Sequence, residues 1–68
     1  MMRYIIAVKP DKREEVTSIS KVLENRDGVE VVNSTGRAAV VESSDQVINK
    51  IRETLGDFLN IEEQIDHA

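Results

Sequence analysis

The alternation of apolar and polar residues along the chain predicts four β-strands. Residues 4–8 form a continuous apolar run rich in strand formers, and because both of its faces are apolar we expect this strand in the middle of a sheet. Residues 29–33 and 38–42 are predicted to form two further strands, joined as a hairpin by the turn formers between them. Residues 59–62 alternate apolar and polar, which is typical of an edge strand with one solvated face.

Residues 12–25 have the apolar spacing of a surface helix. Asp11 and Glu14 occupy capping-box positions at its start, and Gly28 is free to take the left-handed conformation that stops it. The apolar stripe of this predicted helix consists of Val16, Ile19 and Leu23.

A second helix is predicted between Ser43 and Gly56. Ser43 and Gln46 stand in capping-box positions at its start, and Gly56 ends it. Ala38 and Ala39 in the preceding strand are small, so we expect a helix to approach that part of the sheet closely. The apolar residues at helical spacing are Val47, Ile48, Ile51 and Leu55.

The order strand, helix, strand, strand, helix, strand predicts an α+β domain of the ferredoxin-like, split βαβ type. Because parallel crossovers are right-handed, both helices are expected on one face of an antiparallel four-stranded sheet, with the first and third strands in the middle. The domain is predicted to span residues 1–64, and residues 65–68 are expected to leave it as an exposed C-terminal tail. The other sheet face is then open and partly apolar. It serves a partner protein or a homodimer, or it is simply exposed aliphatic surface.

Composition narrows the possible functions. The chain of 68 residues has a net charge of −4, one Tyr, one Phe and no Trp, which makes it a poor candidate for binding nucleic acid. We interpret the acidity as a source of solubility. The absence of cysteine excludes disulfides and thiolate sites. The apolar run near the N-terminus is too short for a signal peptide or a membrane span, so we expect no membrane association and a cytoplasmic protein.

No arrangement of residues indicates catalysis. His67 is the only histidine and is interpreted as a solvated tail residue, because no cysteine or second histidine is present to build a catalytic pair with it. Glu62 and Glu63 would point to opposite faces of a strand, so they are not expected to form a metal site with Asp66 and His67. The three glycines are isolated and form no phosphate-binding loop. The chain is therefore predicted to be no enzyme and to use no metal or cofactor.

Several stretches resemble the subtilisin propeptide-like inhibitors, a family that includes the prosegments of subtilisin-type proteases and free-standing inhibitors. The resemblance covers nearly the whole chain, and its motifs are short. The similar stretches are Tyr4-Ile5-Ile6-Ala7-Val8-Lys9-Pro10 (the family's Y-I-V-x-x-K strand), Gly36-Arg37-Ala38-Ala39-Val40-Val41, Asn60-Ile61-Glu62-Glu63-Gln64 (its V-E-E-D stretch) and His67-Ala68.

The resemblance implies that this chain inhibits a subtilisin-like serine protease, with a further role as a folding assistant of the kind an intramolecular chaperone has. Its open sheet face would pack on two parallel protease helices, and an acidic side chain would cap their N-termini. Glu62 matches the capping position, and Gln64 stands where the family often has Asp. The tail would lie in the substrate cleft like a cleaved product, with Ala68 nearest the catalytic serine. The tail residues are Ile65, Asp66, His67 and Ala68.

Two departures from the family and one alternative belong with this interpretation. The tail is about two residues shorter than in the compared prosegments, and the turn at residues 33–36 is also shorter. The chain is expected to be either a free-standing inhibitor or an excised prosegment of a secreted protease. The alternative is a small ferredoxin-like peptide-binding chaperone or regulatory domain acting through its sheet. It is suggested by Gly28-Val29-Glu30-Val31, which is similar to the G-V-E-V strand of the twin-arginine signal-peptide chaperones of nitrate reductase.

Overall fold

Four strands and two α-helices follow one another in the order that the hydrophobic pattern predicts. A computed structural model describes residues 2–24 and 26–64, so the predicted tail at residues 65–68 lies outside the described residues. The elements are β1 (Met2–Val8), a 3-10 helix (Pro10–Lys12), α1 (Ile19–Leu23), β2 (Val29–Ser34), β3 (Ala38–Ser43), α2 (Asp45–Leu55) and β4 (Leu59–Glu63).

The strands form one antiparallel sheet in the order β2-β3-β1-β4. β1 pairs with both β3 and β4, and β2 pairs with β3. The predicted α+β class, with a four-stranded antiparallel sheet and two helices, is confirmed, as are the central places of the first and third strands. None of the helices in the part of the chain that the structure describes is long and apolar enough to cross a membrane.

One face of the sheet forms the hydrophobic core together with both helices. Alternate residues of β1 and β3 point to this face, and each helix contributes two buried aliphatic side chains to it. Because both helices bury their apolar residues in this one cluster, they lie on the same side of the sheet. The core residues, all at most 5% exposed, are Tyr4, Ile6, Val8, Ile19, Leu23, Ala39, Val41, Ile48, Ile51 and Leu59.

The first helix is much shorter than the prediction over residues 12–25, which is wrong in its extent. Between residues 10 and 24, helical structure occurs only in the 3-10 turn at Pro10–Lys12 and in α1 at Ile19–Leu23. The stretch between them includes Val16, Thr17 and Ser18, whose side chains disfavour helix by restricted rotamers or by competing hydrogen bonds.

A tertiary hydrogen bond also fixes where α1 begins. Ser18 is extended, with φ −143° and ψ 118°, and the N–H of Ile19 donates to the carbonyl of Gly36 in the β2–β3 turn at 3.1 Å. Asp11 lies inside the 3-10 turn, which follows Lys9 and has no side-chain cap, so the predicted capping box does not form.

The start of α2 is shifted by one residue from its predicted position. Ser44 is the N-cap, and its hydroxyl accepts a hydrogen bond from the N–H of Val47 at 3.4 Å. Ser43 instead completes β3, fully buried, and donates to the carbonyl of Gly28 at 2.7 Å. Strand alternation therefore continues one residue further than the capping-box pattern indicates. At the other end, Gly56 caps the helix as predicted.

Candidate functional site

The sheet face opposite the helices is the candidate functional site, and we call it the open face. Its side chains stand in three cross-strand rows set by the antiparallel register. Across the sheet from β2 to β4, the rows are Glu30–Glu42–Arg3, then Asn33–Val40–Ile5–Glu62, then Ala38–Ala7–Asn60.

The centre of the open face is apolar. Ile5 is 38% exposed although its chain neighbours Tyr4 and Ile6 are buried, which is the alternation of a strand covered on one side only. Val40 lies opposite Ile5 in the register and is half-buried. The predicted partly apolar surface on the second sheet face is therefore present.

The rim of the open face is acidic. Among residues 2–24 and 26–64, the charged side chains on it are Glu30, Glu42 and Glu62 and one cation, Arg3. The Arg3 Nε lies 3.4 Å from Glu42 Oε1, and both side chains are partly exposed, so this ion pair contributes little to stability. The carboxylates outnumber the guanidinium, and the face therefore favours a positively charged surface.

Glu62 and Gln64 come together on the open face. Glu62 is exposed on β4 and pairs with Ile5. The N–H of Gln64 donates to the carbonyl of Arg3 at 2.8 Å, so strand pairing continues past the end of β4. Residues two apart in an extended chain point the same way, which puts the Glu62 and Gln64 side chains on one face about 7 Å apart.

The remaining predicted site residues lie beyond the described chain. These tail residues are Ile65, Asp66, His67 and Ala68. The described residues end at Gln64, which lies beside Arg3 and next to the charged row of the open face.

A recess on the open face was not predicted from the sequence. The pairing of β2 with β3 shifts between Val31 and Asn33, so Val32 is the extra residue of a β-bulge. The recess lies between this bulge and β1 and has a volume of about 110 Å³. Its lining residues are Ile5, Asn33, Ser34, Thr35, Ala38, Ala39 and Val40.

The small side chain of Ala38 leaves this space open. Ala39 points to the helix face and is buried, in agreement with the predicted close packing there, whereas Ala38 points to the open face. The small size of Ala38 and Ala39 is visible in the sequence and could have indicated open space on the sheet. Only the register of β3, however, shows that one alanine points to each face.

Tyr4 and Asp45 form the most strongly perturbed polar contact, on the helix face. The Tyr4 hydroxyl donates to the Asp45 carboxylate at the start of α2. This hydrogen bond, followed by burial and by the negative charges of Asp45 and Glu63, raises the pKa of Tyr4 to about 12. The hydrogen bond ties β1 to the first turn of α2.

The acidic residues of β4 are divided between the two faces. Glu62 pairs with Ile5 on the open face, and Glu63 pairs with Tyr4 on the other, as strand geometry predicts. Among residues 2–24 and 26–64, no group of three or more His, Asp or Glu side chains has the arrangement to hold a metal ion.

No protein-family model, curated protein or solved structure matches the chain. The functional argument therefore depends on the fold and on the open face. These define a small α+β domain with a four-stranded antiparallel sheet, one face of which is covered by two helices while the other presents an apolar centre and an acidic rim.

Proposed function

We propose that the protein inhibits a subtilisin-like serine protease, docking its open face on the protease and laying residues 65–68 in the substrate cleft as a product-like strand. The proposal includes a ferredoxin-like fold, supported by the strand order β2-β3-β1-β4 with both helices on one face. It assigns binding, and no catalysis, to this chain. The observation that carries the proposal is an exposed sheet face whose edge strand presents Glu62 just before those last residues.

The position of Glu62 supports contact with a helix N-terminus. Such a terminus presents unpaired N–H groups and a partial positive charge, and an exposed carboxylate matches both. Glu62 is exposed beside the apolar centre. Docking there would partly exclude water from the hydrogen bonds between the Glu62 carboxylate and the helix N–H groups, which would strengthen them. Gln64 supplies a second hydrogen-bond acceptor on the same face but no charge.

The edge position of β4 supports the proposed role of the tail. Within the described part of the chain β4 pairs with β1 alone, and the pairing still holds at Gln64. An extended segment that follows such a strand has backbone groups suited to pair with the main chain of a protease cleft. Docking of the sheet would then provide binding affinity, and the tail would prevent substrate from entering the protease cleft.

An inhibition assay with two variants tests this proposal. Deletion of residues 65–68 is expected to weaken inhibition of peptide hydrolysis by subtilisin at least tenfold while binding through the sheet persists. Glu62→Gln should cost about 1–2 kcal/mol, a loss of roughly 5- to 30-fold. Glu53→Gln is the matched control, because Glu53 is exposed on α2, away from the sheet.

The outcomes separate the two parts of the mechanism. Unchanged inhibition after deletion of residues 65–68 would contradict the role of the tail. Equal effects of Glu62→Gln and Glu53→Gln would contradict docking through the open face. Folding of each variant is checked by circular dichroism.

A second candidate is a peptide-binding chaperone or regulatory domain, and the outer edge of β2 favours it. Among the strands that the structure describes, β2 pairs only with β3, and Val31 and Val32 on this strand are 39% and 47% exposed. Unpaired strand edges bind extended peptides by strand addition. Saturable binding of a leader peptide, together with no effect on subtilisin, would favour this candidate over the inhibitor.

A further inference from the structure

We propose that the recess receives one branched aliphatic side chain of the protease surface, with a basic side chain of that surface next to it against Glu30. The inference rests on the proposed function and adds the chemistry of the contacted surface. It identifies Ala38 and Glu30 as residues that determine specificity, neither of which the resemblance to inhibitors assigns.

The size of the recess fits one side chain. An apolar cavity of about 150 Å³ accommodates benzene, so a recess of about 110 Å³ suits a smaller group of three or four carbons. Ile5, Ala38 and Val40 supply apolar lining from the two central strands. Asn33 and Thr35 add polar groups from β2 and the turn that follows it.

The chain does not fill the recess with its own helices. Both helices pack on the opposite face of the sheet, where all four of their fully buried aliphatic side chains lie in the core. The β-bulge and the small side chain of Ala38 together keep the recess open beside Ile5, which is itself 38% exposed. Because neither helix nor any other element of the described residues fills the recess, we assign the missing apolar group to another molecule.

The negative charges beside the recess favour a partner that carries a basic side chain next to the apolar group. Glu42 lies two residues beyond Val40 on β3, about 7 Å along the strand, and Glu30 lies opposite Glu42 on β2. Within the described part of the chain, Glu42 has Arg3 as an ionic partner and Glu30 has none within 4.0 Å. A second copy of this chain would bring a net charge of −4 to the same surface, so a basic partner fits better.

Ala38→Leu tests the recess by filling it, and Gln46→Leu is the control for adding an exposed leucine. Gln46 is exposed on α2, which packs on the sheet face opposite the open face. In a subtilisin inhibition assay we expect Ala38→Leu to weaken inhibition at least tenfold and Gln46→Leu less than threefold.

Two further variants keep the test decisive. Val40→Ala enlarges the recess without adding bulk, and a severalfold loss of inhibition is expected even if Ala38→Leu fails to fold. Glu30→Lys should weaken inhibition about tenfold or more, whereas Glu53→Lys on α2 should not.

Each outcome decides between named interpretations. Equal weakening by Ala38→Leu and Gln46→Leu, or no weakening by folded Ala38→Leu, Val40→Ala or Glu30→Lys, would overturn the proposed role of the recess while leaving the inhibitor proposal standing. A wild-type dimer in gel filtration that Ala38→Leu dissociates would assign the recess to a second copy and overturn the inference. Absence of inhibition by the wild-type chain would overturn the proposed function and this inference with it.

Discussion

Replacing Gly28 by alanine should destabilise the domain far more than the same change at Gly36. Gly28 has a φ of 84°, which costs a residue with a Cβ about 1–2 kcal/mol. A Cβ there would also lie 2.9 Å from Val47 Cγ2, well inside the ordinary contact distance of about 3.5–4.0 Å, and overpacking of this kind costs about 1–3 kcal/mol. Lower entropy of the unfolded chain offsets about 0.4–1 kcal/mol.

The net expectation for Gly28→Ala is a loss of about 1–4.6 kcal/mol. Because a domain of 68 residues has a total stability of only about 3–10 kcal/mol, the change in urea midpoint should be large. Gly36 has no positive φ, and a Cβ at that position would have no neighbouring atom within 4 Å. Gly36→Ala should therefore be neutral or up to about 1 kcal/mol stabilising.

Urea unfolding followed by circular dichroism measures both variants against the wild type. Equal destabilisation by the two substitutions would refute the reasoning, because only Gly28 combines the left-handed conformation with the close approach of α2. The result also bears on the open face, since Gly28 leads directly into β2 and its carbonyl accepts the Ser43 hydroxyl.

Three other contacts in the packing give further predictions. Tyr4 is the only tyrosine, so an ultraviolet titration reads it alone: its pKa should be about 12 when folded and about 10 when unfolded, and Asp45→Asn should lower the folded value. Because the pKa of Tyr4 is higher in the folded state, the Tyr4–Asp45 hydrogen bond stabilises the fold fully below pH about 10, and this stabilisation is lost as the pH rises to about 12. A titration midpoint of Tyr4 near 10 in the folded protein would contradict the contact. Ser43→Ala should lower the free energy of unfolding in urea by about 1–3 kcal/mol by leaving a backbone carbonyl without its donor, and a change under about 0.5 kcal/mol would contradict that role. Ile6→Ala should cost about 2–5 kcal/mol and Ile5→Ala less than about 1 kcal/mol, because these adjacent residues are 0% and 38% exposed; similar urea midpoints would contradict the assignment of faces.

The sheet could be predicted because local alternation already encodes it. The run from Tyr4 to Val8 is apolar on both faces and β1 is central, while Leu59 to Glu62 alternates and β4 is an edge strand. The same alternation predicted that Glu62 would be exposed on one face and that Glu63 would point to the other.

The first helix and the recess could not be predicted because non-local contacts determine them. The apolar spacing of Val16, Ile19 and Leu23 is helical, yet α1 starts only where Ile19 bonds to Gly36, a partner seventeen positions away in the chain. The recess depends on which face Ala38 occupies and on the bulge at Val32, and both are set by strand pairing rather than by the residues of either strand alone.

The most direct test of the central claim is a titration of subtilisin activity with the wild-type protein at two substrate concentrations. The proposed docking and tail insertion predict complete inhibition, with an apparent inhibition constant that rises linearly with substrate concentration, by a factor of one plus the ratio of substrate concentration to KM, as expected when the tail competes for the cleft. Full activity with folded protein at about 100 μM, where a contact worth roughly 5.5 kcal/mol would be half saturated, would contradict the claim.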